Sequence, residues 1–307
     1  MNKNDHSALT IQSGLAGLLV LSVLAFRSIR QQLIIFANGV AFTKYWYAEL
    51  AGWVALALLF VLVAHAFLSG SGRITQFIQR LTFFLSRICP LSLSIFVALL
   101  VFFPLLLHGR LYHYFTSLST RYWLLAVFIL AGGLLLKSCI KSVGWGLALI
   151  STALVIGYAY LIAGYVPQIS TYPFSLSWSE TSRFYHASLW LDRTVYGLDL
   201  PWPHRDFSRY LMQALPYLLP RSPLWLHRFW ESFMRLSLPL LAAWLLARRL
   251  RIKQKSENIL FAIWGALFYC QGPIFYQMLV VVLPIFLWFD SRKVWRSTLL
   301  VLSLIHI

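Results

Sequence analysis

Uncharged apolar runs recur along this chain, and they decide its fold class before any motif is considered. Ala8–Phe26, Pro90–Leu107 and Val143–Tyr165 are each long enough to cross the hydrocarbon core of a bilayer as one helix. Inside that core every backbone donor and acceptor has to be satisfied within the segment, so such runs read as α-helices. The expected spans are Ala8–Phe26, Ala48–Leu68, Pro90–Leu107, Tyr122–Leu136, Val143–Tyr165 and Phe229–Ala247. The fold class this predicts is all-α, a polytopic transmembrane helix bundle with one extracytoplasmic loop containing short interfacial helices.

Composition agrees. Charged residues make up only 11% of the 307, and mean hydropathy is +0.72, whereas soluble domains are about one-quarter charged. The net charge of +17 raises the question of nucleic acid. The basic residues, however, sit in short clusters between apolar runs, the pattern of cytoplasmic loops, which argues against a nucleic-acid partner. Cys89, Cys139 and Cys270 have no zinc or CxxC spacing and read as small apolar packing residues.

Both ends carry expectations. Lys3 and the apolar Gly14–Phe26 resemble a signal peptide, but no small-x-small site precedes Arg27, which predicts an uncleaved first span. Ser297–Ile307 begins a new apolar run after a basic cluster and amounts to about half a span. Leu302–Ile307 also looks like a translated sequencing-adapter end, so the reading frame is expected to be truncated, a fragment whose missing part carries some of the function.

The uncharged stretch Asn258–Phe289 is interrupted by Gln271-Gly272-Pro273. It is too long for one upright span and barely enough for two, which predicts a tight hairpin or re-entrant pair. Orientation follows from the basic clusters at Arg248–Lys255 and Arg292–Arg296, placed in the cytoplasm with the N-terminus. Arg27, Arg30 and Lys44 then fall outside, and residues 27–46 are expected to lie along the interface. The division is 1–165, an N-terminal bundle of about five spans; 166–222, an extracytoplasmic loop; and 223–307, further transmembrane helices with an incomplete last span.

That loop holds the polar chemistry. Of nine acidic residues, Glu180, Asp192, Asp199, Asp206 and Glu231 lie within or just after it, as do seven of twelve prolines. Long ordered loops in compact proteins are usually functional. Two readings are open for Glu180: the last position of a Ser177-x-x-Glu180 capping box, or a catalytic carboxylate with Arg183 one turn on, able to pair with it or with a phosphate. Pro201 and Pro203 enforce extended backbone before the dense polar group His204, Arg205, Asp206, Ser208 and Arg209. Tyr210–Leu219 is amphipathic enough to lie in the interface. All five basic residues of 166–222 are arginine, whose planar fork suits phosphate; headgroup contact and local salt bridges are the plainer explanation for any one of them. His65, His186, His204 and His227 share no metal-site spacing.

The segment Trp178–Leu189, with Phe207–Pro220, Leu224–Arg228 and Gln271–Gln277, resembles polytopic bacterial membrane glycosyltransferases of the GT-C superfamily. The resemblance implies transfer of a sugar from a polyprenyl-phosphate donor to an unidentified extracytoplasmic acceptor, at the bacterial plasma membrane. It implies Glu180 as the catalytic carboxylate, with Asp192 and Asp206 as alternatives. Arg183, or Arg205 with Arg209, and His204 beside them, would hold donor phosphate. Arginines or a divalent cation would stabilise the leaving group; the cofactor is otherwise unknown. The chain departs from the superfamily in placing about five spans before the acidic loop. The rival readings are a lipid or glycolipid transporter or flippase without catalysis, and another lipid-linked envelope enzyme, such as an O-antigen ligase or polymerase or a phosphotransferase. A transporter needs ionisable groups within its spans, and apart from His65 the spans read as poor in them.

Overall fold

The computed structural model describes residues 3–38, 40, 42–68, 71–140, 142–172, 180–200, 207–250, 255–271 and 279–288. Among these there is helix and turn but no strand. The helices are α1 (Lys3–Ala37), α2 (Lys44–Leu68), α3 (Ser71–Arg87), α4 (Cys89–His108), α5 (Leu118–Cys139), α6 (Trp145–Tyr165), α7 (Glu180–Ser188), α8 (Asp192–Tyr196), α9 (Phe207–Ala214), α10 (Leu224–Arg249), α11 (Lys255–Gln271) and α12 (Leu279–Trp288). Five segments of the described residues are long and apolar enough to span a membrane, Ser13–Ala37, Lys44–His65, Cys89–His108, Leu118–Cys139 and Trp145–Gln168. They coincide with the first five spans expected from sequence. The chain is an all-α, multi-span membrane protein. Its outward surface fits that: only 6% of the most apolar window of Lys44–His65 is buried, an apolar surface that water would not favour.

The chain divides into two compact units, Met1–Tyr160 and Leu161–Ile307. In the first, Phe103, Leu107, Leu124, Phe128 and Ile156 form the core between α4, α5 and α6. Gly132 and Gly133 let α5 approach α6 closely: a Cβ at either would lie 2.6 Å from Thr152 Cγ2 or Leu149 Cδ2 respectively. Such small-residue contacts are how helices pack where lipid supplies no hydrophobic drive. Cys139 Sγ donates to the Cys89 carbonyl at 3.4 Å, so two cysteines far apart in sequence meet where α5 ends and α4 begins.

Two expectations for this unit change. Residues 27–37 are not a separate segment, because α1 continues through Arg27 and Arg30 to Ala37. The continued helix keeps its backbone hydrogen-bonded, and Arg30 Nε reaches Glu49 Oε1 on α2 at 2.5 Å. Between α2 and α4 there is also a helix the span pattern did not show. α3 exposes Phe77, Phe83 and Phe84, with Arg87 over the Phe83 ring at 4.7 Å, the make-up of an interfacial helix.

In the second unit, α10 is the spine. α11 runs antiparallel to it, with small residues at the contact: Ala242, Ala243, Ala247 and Ala266 are fully buried, and a Cβ on Gly265 would sit 2.7 Å from Ala243 Cβ. α12 lies along α10 in the same direction. Leu279 packs with Leu238, and Arg249 Nη1 donates to the Ile285 and Phe286 carbonyls at 2.7 and 3.1 Å, where the end of a helix leaves acceptors unsatisfied. α11 and α12 are thus antiparallel arms, as a hairpin in 258–289 requires; its turn at Gly272-Pro273 lies outside the described residues, as do Arg292–Arg296 and Ser297–Ile307.

Candidate functional site

α7 is short, nine residues, yet strongly two-faced. Glu180, Arg183, Phe184, Ala187 and Ser188 are buried, while Thr181, Ser182, Tyr185 and His186 are exposed. The buried set has the i, i+3, i+4, i+7, i+8 spacing of one helix face, but its first turn is ionic rather than apolar. That ionic edge lies against the first turns of α10. Arg228 Nε and Nη2 donate to Glu180 Oε1 and Oε2 at 2.5 and 3.1 Å. Arg183 Nη1 donates to Glu231 Oε1 at 2.7 Å. The order Glu-x-x-Arg on α7 meets Arg-x-x-Glu on α10, so one turn of each helix satisfies the other in register.

Two further contacts extend the network. Arg235 Nη2 donates to the same Glu231 Oε1 at 2.8 Å, the i, i+4 partner on α10, and Arg228 Nη1 donates to the Ser170 carbonyl at 2.5 Å. Arg228, Glu231, Glu180 and Arg183 are each at most 5% exposed, and the Arg235 side chain is 24% exposed. Nearby, the second Glu231 oxygen Oε2, Ser232 Oγ and His227 Nδ1 are buried without a hydrogen-bond partner among the described residues.

The rest of the loop is fastened around this junction. Trp230 Nε1 donates to the Met212 carbonyl at 2.7 Å and Tyr217 Oη to the Phe184 carbonyl at 3.1 Å, tying α9 and the turn after it to α10 and α7. His227 pairs with Ser222 Oγ at 2.8 Å, under the rings of Tyr217 and Phe184. Burial holds its pKa below the ordinary histidine value and pushes the Tyr217 phenol up to about 12. Ala187, Trp190 and Ala214 make a small apolar core beside them. Exposed Leu215, Leu218 and Leu219 give this end the apolar surface expected of an interfacial segment.

The residues expected from sequence are distributed unequally. Glu180 and Arg183 are in the network, but Arg183 bonds Glu231, with Arg228 the bidentate partner of Glu180. Asp192 opens α8 and works locally: Oδ1 accepts from the Arg193 amide at 2.7 Å, and Oδ2 from the Leu200 amide at 2.5 Å. α8 ends at Gly197, whose φ of +67° suits the left-handed cap position. Asp199 is exposed and bonded to Arg193 at 2.7 Å, whose hydrogen bond and charge lower its pKa. Arg209 is carried by α9; Ser177 with the capping box, and His204, Arg205 and Asp206, lie outside the described residues.

Arg228, Glu231 and Arg235 were missed as site residues. The signal was present, since Arg228, Glu231 and Arg235 fall within the first half of a 26-residue helix that is uncharged and largely apolar from Leu236 to Ala247, and charges beside such a run are costly unless paired. They lie on α10, which carries the sixth expected span, Phe229–Ala247; that segment is not among the five of the described residues long and apolar enough to cross a membrane. Among the described residues no group of three His, Cys, Asp or Glu converges on a point that could hold a metal ion. Compared with protein-family models, curated proteins and solved structures, the chain matches none.

Proposed function

We propose that this chain is a membrane enzyme that holds a phosphate-bearing lipid by its arginines, on the extracytoplasmic side of a bacterial plasma membrane, and transfers the group the lipid carries. The observation that supports this reading is the convergence of the Arg183, Arg228 and Arg235 guanidiniums on one junction between a loop helix and the start of α10. Guanidinium forks match phosphate oxygens in shape and charge, and a site between an interfacial loop and a long apolar helix suits a substrate whose tail stays in the bilayer. Arg235, the most accessible of the three, is the one we assign to the lipid phosphate.

The GT-C-like version transfers a sugar from polyprenyl phosphate and needs a carboxylate as general base. One specific observation favours a second version, phosphoryl transfer: both oxygens of Glu180 are engaged by Arg228 and both of Asp192 by backbone amides, which leaves the base to Asp206. Phosphoryl transfer relies mainly on positioning and on cations around the phosphate, which arginines supply.

The test is binding and turnover by the purified full chain with polyprenyl phosphate, polyprenol and a polyprenyl-phosphate sugar. Polyprenyl phosphate is expected to bind at least about tenfold tighter than polyprenol, with Arg235→Gln removing most of that difference, since one hydrogen bond to a charged group contributes about 1.5–3 kcal/mol. Equal binding of phosphate and alcohol would overturn the proposal. Sugar release identifies the glycosyl version, phosphate release from a lipid phosphate the phosphoryl version, and tight binding without turnover a carrier.

A further inference from the structure

The N-terminal unit holds a cavity whose lining shares no residue with the loop junction. α1 and α2 do not close on each other along their whole length. Between them, α5 and the turn before α5, they leave a cavity of about 710 Å³, within the range that encloses small-molecule ligands. Its α2 wall runs from Lys44 to Leu59, or about 23 Å of helix at about 1.5 Å per residue. One leaflet of the hydrocarbon core is about 15 Å deep.

The chemistry changes along that length. The part away from Lys44 is lined by residues such as Ser22, Ala25, Ala55, Leu56 and Leu59. The polar groups there are already satisfied: Trp123 Nε1 donates to Ser22 Oγ at 2.8 Å, and Ser22 donates to the Leu18 carbonyl at 2.7 Å. Water finds no partners on such walls, and apolar cavities of this kind stay dry; hydrocarbon can recover the dispersion contacts an empty space forfeits. The mouth differs. Lys44 is exposed there, its ammonium 5.1 Å from the Tyr45 ring centre, with no carboxylate partner among the described residues. Tyr45 and Tyr114 flank it, both packed on Phe36. A cation between tyrosines above an apolar slot is the order of groups met by an anionic lipid, headgroup first and chain below.

We infer that this cavity binds one anionic phospholipid, its chain between α1 and α2 and its phosphate at Lys44. Neither Arg235 nor the loop takes part, so this site and the proposed transfer reaction stand or fall separately. The test is native mass spectrometry of the detergent-solubilised full chain equilibrated with equal phosphatidylglycerol and phosphatidylcholine. The wild type is expected to retain one phospholipid with about fivefold preference for phosphatidylglycerol, the equivalent of about 1 kcal/mol for one lysine near a lipid headgroup. Ala55→Trp, which fills the slot from its exposed side, should lose the retained lipid. Lys44→Gln, at the first position of α2, should keep a lipid and lose the preference. Lipid-free wild type, Ala55→Trp retaining as much lipid as wild type, or an unchanged preference in Lys44→Gln would each overturn the assignment; if Ala55→Trp is not folded, the Lys44→Gln preference decides alone.

Discussion

Arg228 grips both carboxylate oxygens of Glu180, at 2.5 and 3.1 Å, with no more than 4% of either side chain exposed. A carboxylate so held has neither oxygen directed at an acceptor hydroxyl, and its job in the fold is to fasten the loop helix to α10. Taking two charges out of water costs several kcal/mol per ion, offset only when the pair is well aligned. Here the bidentate fork and the additional Arg228 bond to the Ser170 carbonyl supply that alignment.

The second pair should behave the same way. Glu231→Gln removes the charge shared by Arg183 and Arg235 and is expected to cost about 3 kcal/mol or more, read from unfolding in detergent. Asp199→Asn, which breaks the exposed pair with Arg193, should leave the unfolding midpoint where it is. Equal effects of the two changes would mean that the buried network does not hold the unit together.

Acid should loosen the same region through His227. Its pKa in the folded chain lies below the unfolded value of about 6.5, so the unfolded state takes up the proton more readily. The neutral-histidine contribution is complete above that value and is lost as pH falls below it. The midpoint of the wild type should therefore drop between pH 8 and pH 5.5 by more than that of His227→Phe. An identical drop in both would remove His227 from the acid response.

Much of the fold was legible because hydrocarbon imposes one solution on a long uncharged run, and the first five spans followed from that alone. The site was only half legible. Glu180 and Arg183 stood out as charges in a polar loop, but Arg228, Glu231 and Arg235 belong to a helix whose remaining residues read as a membrane span. A pairing across 48 residues leaves no local trace. What sequence offers is the i, i+3 spacing of opposite charges on two helices, which signals complementarity only once the helices are known to lie together. α3 was missed for a related reason: an interfacial helix alternates apolar and basic residues and forms no uncharged run.

Helix packing in the first unit makes a prediction with a contrast built in. Thr152 has its hydroxyl bonded to the Ala148 carbonyl at 2.8 Å and is fully buried, so it cannot swing away from a methyl at position 132. Leu149 meets position 133 mainly with the end of a flexible side chain. Gly132→Ala should therefore destabilise by about 1–3 kcal/mol, and Gly133→Ala by clearly less. The reverse order would show that α5 and α6 pack with a different register.

The side of the membrane on which the loop lies is open to direct labelling. Tyr185 is 55% exposed on the outer face of α7, unlike Ser188, which is buried against Tyr196. With the three native cysteines replaced, Tyr185→Cys should react with an impermeant thiol reagent in intact cells as fully as after permeabilisation. Reaction only after permeabilisation would place the loop in the cytoplasm and remove extracytoplasmic donors from consideration.

The fastening of Glu180 by Arg228 is best measured by a double-mutant cycle on Glu180→Gln and Arg228→Gln, read as unfolding free energy in detergent. Each single change is expected to lose about 3–5 kcal/mol. The double should lose less than their sum, with a coupling of about 1–3 kcal/mol. Additive losses, or a Glu180→Gln chain as stable as the wild type, would contradict the account and return Glu180 to the carboxylates able to serve as a base.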